Sequence, residues 1–159
     1  MIFVTLGSQK FQFNRLLAKL DELIVNGTIQ EEVFAQIGYS DYKPLHFTYK
    51  EFLDREEFAA TMTKCSTVIT HGGTGAIIGA VKKGKKVIAV PRLSKYGEHV
   101  DDHQIQLLKQ FDDMGIISAC YEFEMLNKHY KNLQQREFNK YQSNTKTIID
   151  SIDKFLSSC

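Results

Sequence analysis

The stretch Thr67-Val68-Ile69-Thr70-His71-Gly72-Gly73-Thr74-Gly75-Ala76-Ile77-Ile78-Gly79-Ala80-Val81-Lys82-Lys83-Gly84-Lys85-Lys86-Val87-Ile88-Ala89-Val90-Pro91 decides the fold. Residues 67–70 are β-branched and bounded by small and polar residues, which predicts a short buried strand. Three glycines in residues 71–75 predict a turn, and residues 76–83 predict a short helix that Gly84-Lys85 ends. Residues 86–90 read as another buried strand, stopped by Pro91. Strand, crossover helix and strand in so few residues form a βαβ unit, and such units build parallel sheets.

The same alternation runs outward in both directions. Residues 2–6 predict a first strand, closed by Gly7-Ser8, and a helix follows with Leu16, Leu17, Leu20, Leu23 and Ile24 on one face. Asn26-Gly27 stops that helix, residues 33–37 predict a second strand, and residues 46–52 a weaker extended segment. Asp54 is a natural N-cap for a helix to about residue 64, with Glu56 and Glu57 in its first turn. Beyond Pro91, residues 100–114 predict a helix with Ile105, Leu108 and Phe111 inward, then Gly115 and a strand at 116–119. The last third reads as helical, ending on Ile148, Ile149, Ile152, Phe155 and Leu156. The expected fold is α/β: a Rossmann-like, doubly wound parallel sheet in one domain, 1–119 forming the core and 120–159 a helical tail.

Composition narrows the function. Of 159 residues, 43% are hydrophobic and 25% charged, ordinary values that exclude a disordered or fibrous chain. A net charge of +1 argues against nucleic acid as the main partner, since phosphate binding needs a positive field. No apolar run approaches the ~18–20 residues of a membrane span, and no basic-then-apolar leader opens the chain, so a cytoplasmic protein is expected. Cys65, Cys120 and Cys159 are odd in number and form no CxxC, which predicts reduced thiols.

Chemistry gathers at the glycines. Gly72, Gly73 and Gly75 let a ligand approach the backbone without meeting a Cβ, and the helix that follows aims its unpaired N–H groups at the turn. That arrangement favours a phosphate or diphosphate. Gly7-Ser8-Gln9 holds the equivalent place after the first strand and offers a second set of donors. Two such turns at the carboxyl edge of one parallel sheet would converge on one crevice. The pattern is neither the dinucleotide GxGxxG nor a P-loop. A tight connection without any ligand is the alternative. His71 is likewise either a contact to the reacting group or a turn residue bonded to the backbone.

At these positions the sequence resembles the donor-binding half of glycosyltransferase family 28, and within it the short PssE-like proteins of exopolysaccharide and capsule synthesis. The resemblance is carried by Ile69-Thr70-His71-Gly72-Gly73-Thr74-Gly75, by Gly84-Lys85-Lys86-Val87-Ile88-Ala89-Val90-Pro91-Arg92, and by Glu98-His99-Val100-Asp101-Asp102-His103-Gln104. The opening Ile2-Phe3-Val4-Thr5-Leu6-Gly7-Ser8 with Phe13-Asn14-Arg15-Leu16 also fits.

The resemblance implies a domain similar to the C-terminal half of a GT-B glycosyltransferase, binding a UDP-sugar and needing no other cofactor. It implies a two-chain, inverting enzyme transferring a hexose or N-acetylhexosamine to a lipid-linked saccharide. The acceptor side would belong to a membrane-anchored partner subunit, as in the eukaryotic pair that adds the second N-acetylglucosamine to dolichol. The chain would then lie at the inner face of the cell membrane through that partner, and surface left bare without it would let the isolated chain form a homodimer. Gly72, Gly73, Thr74 and Gly75, with Gly7, Ser8 and Gln9, would hold the diphosphate, and His71 is the catalytic candidate. Gln104 would meet the sugar hydroxyls, flanked by Asp102 and His103, and Arg92 and Glu98 would lie in the donor-covering loop. Helix capping is the alternative for Glu98 and Asp101. No Asp-x-Asp occurs, and His99 with His103 lacks a third ligand, so no metal is expected.

Two positions depart from the family. Gly79 stands where many relatives carry a glutamate for the ribose hydroxyls, and Gln9-Lys10 where they show His-Glu. These departures support an alternative: a non-catalytic nucleotide- or partner-binding module that activates another glycosyltransferase. An unrelated doubly wound nucleotide-binding domain is a third reading. Residues 128–146 place Lys128, Lys131, Arg136, Lys140 and Lys146 among Tyr130, Phe138 and Tyr141, either a solvated helix face or a dock for the partner or anionic headgroups.

Overall fold

Strands β1 (Ile2–Thr5), β2 (Val33–Gln36), β3 (Thr48–Lys50), β4 (Thr67–Thr70), β5 (Lys86–Ala89) and β6 (Ser118–Ala119) pair in parallel in the order β3-β2-β1-β4-β5-β6. The order reverses between β1 and β4, the signature of a doubly wound sheet. Helices α1 (Asn14–Val25), α2 (Arg55–Lys64), α3 (Thr74–Lys82), α4 (His103–Asp113) and α5 (Leu126–Leu133) cover its faces. These features come from a computed structural model that describes residues 1–7, 10–98 and 103–139, with the backbone alone for His103.

Alternation along the strands sorts side chains into two cores. Ile2, Val4, Val33, Ala35 and Ile69 meet the Leu16, Leu17, Leu20 and Leu23 stripe of α1. Phe3, Val68, Val87 and Ala89 face the other way, onto Met62 of α2, Ile77 and Ala80 of α3, and Leu108 and Phe111 of α4. Both faces are covered, as a parallel sheet requires. Asp21, only 4% exposed, anchors the loop into β3: it accepts hydrogen bonds from the Tyr42 hydroxyl (2.6 Å) and from the Leu45 and His46 backbones (2.9 and 3.0 Å).

The doubly wound reading holds. Helix α3 starts two residues earlier than its periodicity suggests, because extended Gly73 (φ −76°, ψ 119°) serves as the N-cap and draws Thr74 and Gly75 into the first turn. Cys65 and Cys120 are buried free thiols, and burial pushes both up, Cys120 to about 11, which disfavours the thiolate at neutral pH. Cys159 and the expected terminal helix lie outside the described residues.

The start of the tail is core. Leu126 and Leu133 are each 1% exposed, Tyr130 and Phe138 pack on the α1-side core, and the Lys86 ammonium donates to the Leu133 and Gln134 carbonyls at 2.9 and 3.0 Å. The aromatics that the sequence interleaves with cations turn inward here; Lys140, Tyr141 and Lys146 lie outside the described residues.

His129 of α5 shares a 2.7 Å hydrogen bond with Ser118 of β6. Burial lowers its pKa below the usual 6.5, with Asp112 pulling it up and Arg136 pushing it down. The fold therefore prefers the neutral ring, while the unfolded chain takes up a proton near the usual value. This contribution to stability is complete above about pH 6.5 and is lost as pH falls through the folded-state pKa. Thermal melts from pH 7.5 to pH 5 should show a decline that His129→Gln flattens.

Candidate functional site

Because β1 and β4 sit side by side at the point where the order reverses, the chain leaving β1 turns to the α1 face and the chain leaving β4 to the α3 face. A crevice opens between the two turns. Gly7 ends β1 in the left-handed region (φ +73°), and a Cβ there would stand 2.6 Å from His71 Nε2. On the other side, a Cβ at Gly73 would stand 2.6 Å from His71 Cε1. The imidazole is thus held between the turns, 7% exposed, in space that only glycine leaves.

Helix α3 has no side-chain N-cap bond, whereas Asp54 caps α2 by accepting from the Glu57 backbone at 2.7 Å. The first intrahelical bond of α3 runs from Ile77 N to Gly73 O at 3.2 Å. Thr74, Gly75 and Ala76 consequently have no intrahelical acceptor for their N–H groups. A Cβ at Gly75 would meet nothing within 4 Å, so the approach is open. The helix dipole adds partial positive charge there.

Gly73, Gly75 and Ala76 form one side of a cleft of about 420 Å³, with Thr5, Gly7, Gln36 and His71 beneath and Leu53, Asp54, Arg55 and Phe58 opposite. That volume lies within the ~300–1,000 Å³ usual for small-molecule sites. Gln104, in the first turn of α4, lies across Gly72: a Cβ on that glycine would come within 3.0 Å of Gln104 Cβ and 3.1 Å of its Oε1. Gln104 Oε1 is buried without a hydrogen-bond partner among the described residues.

Of the sequence candidates, Gly7, His71, Gly72, Gly73, Thr74, Gly75 and Gln104 come together here. Ser8, Gln9, Asp102 and the His103 side chain lie outside the described residues, as do His99 and Asp101. Arg92 and Glu98 stand apart from the cleft lining; their described hydrogen bonds go to the protein itself, and Arg92 Nε is buried without a partner among the described residues. The Arg92 guanidinium is 1% exposed and donates to the Leu6, Phe11 and Glu98 carbonyls, the Phe11 bond measuring 2.8 Å. Burial pushes its pKa down to about 10, against the pull of Glu98. Glu98, fully buried, accepts both Nε and Nη2 of Arg15 at 2.9 Å and the Leu93 backbone at 2.9 Å.

Gln36, Leu53, Arg55 and Phe58 were not legible as site residues. Gln36 did carry a signal, being the polar member of the otherwise apolar run Val33-Phe34-Ala35-Gln36-Ile37.

A 3-2-1-4-5-6 parallel sheet with a helix N-terminus lacking a side-chain cap at its switch point defines a domain of the doubly wound α/β class. The chain belongs to the glycosyltransferase family 28 C-terminal domain family, whose profile matches residues 1–157. In fold it is similar to MurG of Acinetobacter baumannii, with a TM-score of 0.61 and 20% identity over 96% of this chain and 49% of MurG. It is also similar to the solution structure of ALG13, with a TM-score of 0.60 and 17% identity over 92% of this chain and 91% of that one. SnogD from Streptomyces nogalater, a glycosyltransferase, gives a TM-score of 0.59 and 20% identity over 98% of this chain and 39% of its own. The chain therefore spans about half of MurG and two-fifths of SnogD. No curated protein matches it in sequence.

Proposed function

We propose that the chain is the UDP-sugar-binding catalytic subunit of a two-chain inverting glycosyltransferase. It would transfer a hexose or N-acetylhexosamine to a lipid-linked saccharide in exopolysaccharide or capsule synthesis, beside a membrane-anchored subunit that holds the acceptor. The observation that carries this reading is the open, uncapped N-terminus of α3 behind Gly72 and Gly73, facing Gly7 across the crevice. Family membership and the likeness to MurG and ALG13 support it. Among the described residues no helix is long and apolar enough to cross a membrane, so on this reading membrane contact comes through the partner.

In the transfer, an acceptor hydroxyl attacks the anomeric carbon opposite the diphosphate. A carbon–oxygen bond forms to the acceptor as the bond to the diphosphate breaks; UDP leaves with the electron pair, and the hydroxyl proton passes to a base on the partner's, acceptor-holding side of the cleft. The N–H groups of Thr74, Gly75 and Ala76 meet the negative charge growing on that diphosphate. A preorganised donor of this kind is worth on the order of 3–4 kcal/mol. Gln104 holds the sugar hydroxyls, and His71 sits at the diphosphate end of the cleft.

One observation favours the non-catalytic reading: a Cβ at Gly79 meets nothing within 4 Å, so the place of the family's ribose-binding carboxylate is open space. The two readings part on one experiment. The chain, its partner subunit, membrane lipids and radiolabelled UDP-sugars should yield labelled glycolipid, and Gln104→Ala should cut the rate at least 100-fold. Unchanged transfer by Gln104→Ala would establish the activating module, and no product with any common UDP-sugar would overturn the enzyme reading.

A further inference from the structure

We infer that Arg92 is a positioning residue for the anion end of the cleft: its buried guanidinium holds the peptide that carries the Gly7 N–H in one of the two orientations a glycine allows. The inference rests on the nucleoside-diphosphate reading of the cleft and adds to it a residue that touches no ligand.

The β1–α1 connection leaves the sheet between two anchored amides. Leu6 N donates to the Gln36 carbonyl at 3.1 Å, and Phe13 N donates to Ser40 Oγ at 2.9 Å. Between them, Arg92 donates to the Leu6 carbonyl through Nη2 and to the Phe11 carbonyl through Nη1, the latter at 2.8 Å. One side chain thus grips the connection before Gly7 and again after it. A guanidinium suits that task because its donors sit in a rigid fork, and the Phe13 ring supports it, with 5.5 Å from the guanidinium carbon to the ring centroid.

This arrangement opposes two penalties. Burial pushes the Arg92 pKa down to about 10, and its Nε has no partner among the described residues. A leucine at position 92 would avoid both. It would also leave the carbonyl of Leu6, a residue 0% exposed, facing a side chain with no donor.

What the Leu6 bond controls is the next amide. The peptide between Leu6 and Gly7 is planar and trans, so its carbonyl and the Gly7 N–H point opposite ways. Turning that plane over changes ψ of Leu6 and φ of Gly7 and reverses the N–H. Glycine populates either sign of φ with little preference. Gly7 stands at φ +73°, so its own conformational energy does not choose that state, and the bond to Arg92 does. Gly7 lines the cleft, and its backbone packs against the His71 ring, where a Cβ would lie 2.6 Å from Nε2. The direction of its N–H is therefore part of the preorganisation of the site.

The test is calorimetry with UDP on the full chain, on Arg92→Lys and, for comparison, on Leu133→Ala. Lysine keeps the charge but replaces the fork with a single nitrogen, which cannot hold both carbonyls. Leu133 is 1% exposed on α5 and lines no part of the cleft. Both variants should melt lower than the unaltered chain. Arg92→Lys should lose UDP affinity about 10-fold, the size of one lost hydrogen bond to a charged donor. Leu133→Ala should bind within about 2-fold of the unaltered chain, as a remote site does. On the unaltered chain, UDP should shift the Gly7 amide resonance and, through the polarised peptide, the Arg92 Nη resonances as well. Equal UDP binding by Arg92→Lys and the unaltered chain, an equal loss in Leu133→Ala, or Arg92 resonances indifferent to UDP overturns the positioning role and leaves the nucleotide site standing. The resonances decide the matter on their own if Arg92→Lys does not fold. An unaltered chain that does not bind UDP overturns both.

Discussion

Gly73→Ala should cost the isolated chain about 100-fold in UDP affinity while changing its melting temperature by only a few degrees. The backbone at Gly73 (φ −76°, ψ 119°) is one that alanine adopts freely, so no backbone strain enters. The new methyl would stand 2.6 Å from His71 Cε1 and 2.9 Å from Nε2, closer than real contacts allow. The ring cannot retreat, because the other turn closes in on it: a Cβ at Gly7 would itself lie 2.6 Å from Nε2. The imidazole must therefore swing into the cleft or push the start of α3 away, and either movement spoils the anion site. Loss of a glycine N-cap in favour of alanine adds at most about 1 kcal/mol. A double-mutant cycle with His71→Ala decides the cause. If the ring transmits the damage, Gly73→Ala in the His71→Ala background should bind UDP as well as His71→Ala alone. An undiminished 100-fold loss in that background would mean that the methyl blocks the ligand directly and that the ring is a bystander.

Much of this architecture is written locally in the chain. Residues 67–70 and 86–90 are β-branched runs, and the glycines between them announce a turn, so the βαβ unit and the glycine-lined end of the cleft were legible. The apolar end was not. Leu53 and Phe58 reach the cleft because α2 follows β3 onto the same face as α3, and Gln36 because β2 pairs with β1 in the register Thr5↔Gln36. Each depends on which strands become neighbours, and local periodicity does not encode that. Arg92 and Glu98 teach the converse lesson. The resemblance places both in a donor-covering loop, and the structure shows what they bind within the chain: Arg92 donates to the Phe11 carbonyl in the β1–α1 connection, and Glu98 holds Arg15 of α1. Their burial is a property of the assembled sheet edge.

That burial makes Glu98→Ala a severely destabilising change. The carboxylate is 0% exposed and holds Arg15 through two 2.9 Å bonds, the Leu93 backbone through a third, and the charge of Arg92 from nearby. Removing one partner of a buried ion pair leaves the other charge uncompensated and typically costs about 3–5 kcal/mol. For a chain of 159 residues that is a fall in melting temperature on the order of 10 °C. Arg15 can partly recover, since its guanidinium carbon lies 3.9 Å from the Phe123 ring centroid and 4.5 Å from that of Tyr96, and its side chain reaches solvent. Arg92 cannot, being 1% exposed and already held down to about 10 by desolvation; the loss of the Glu98 charge pushes it further. The surface pair Lys50–Glu57, shorter at 2.7 Å but largely exposed, sets the scale: Glu57→Ala should cost under about 1 kcal/mol, and that loss should shrink in salt. The Glu98→Ala loss should persist in 0.5 M salt, roughly the regime where exposed pairs are screened. Urea unfolding of both variants, at low and high salt, separates the two. If Glu98→Ala loses no more than Glu57→Ala, the brace between the 92–98 loop and α1 is not what holds that edge of the sheet together.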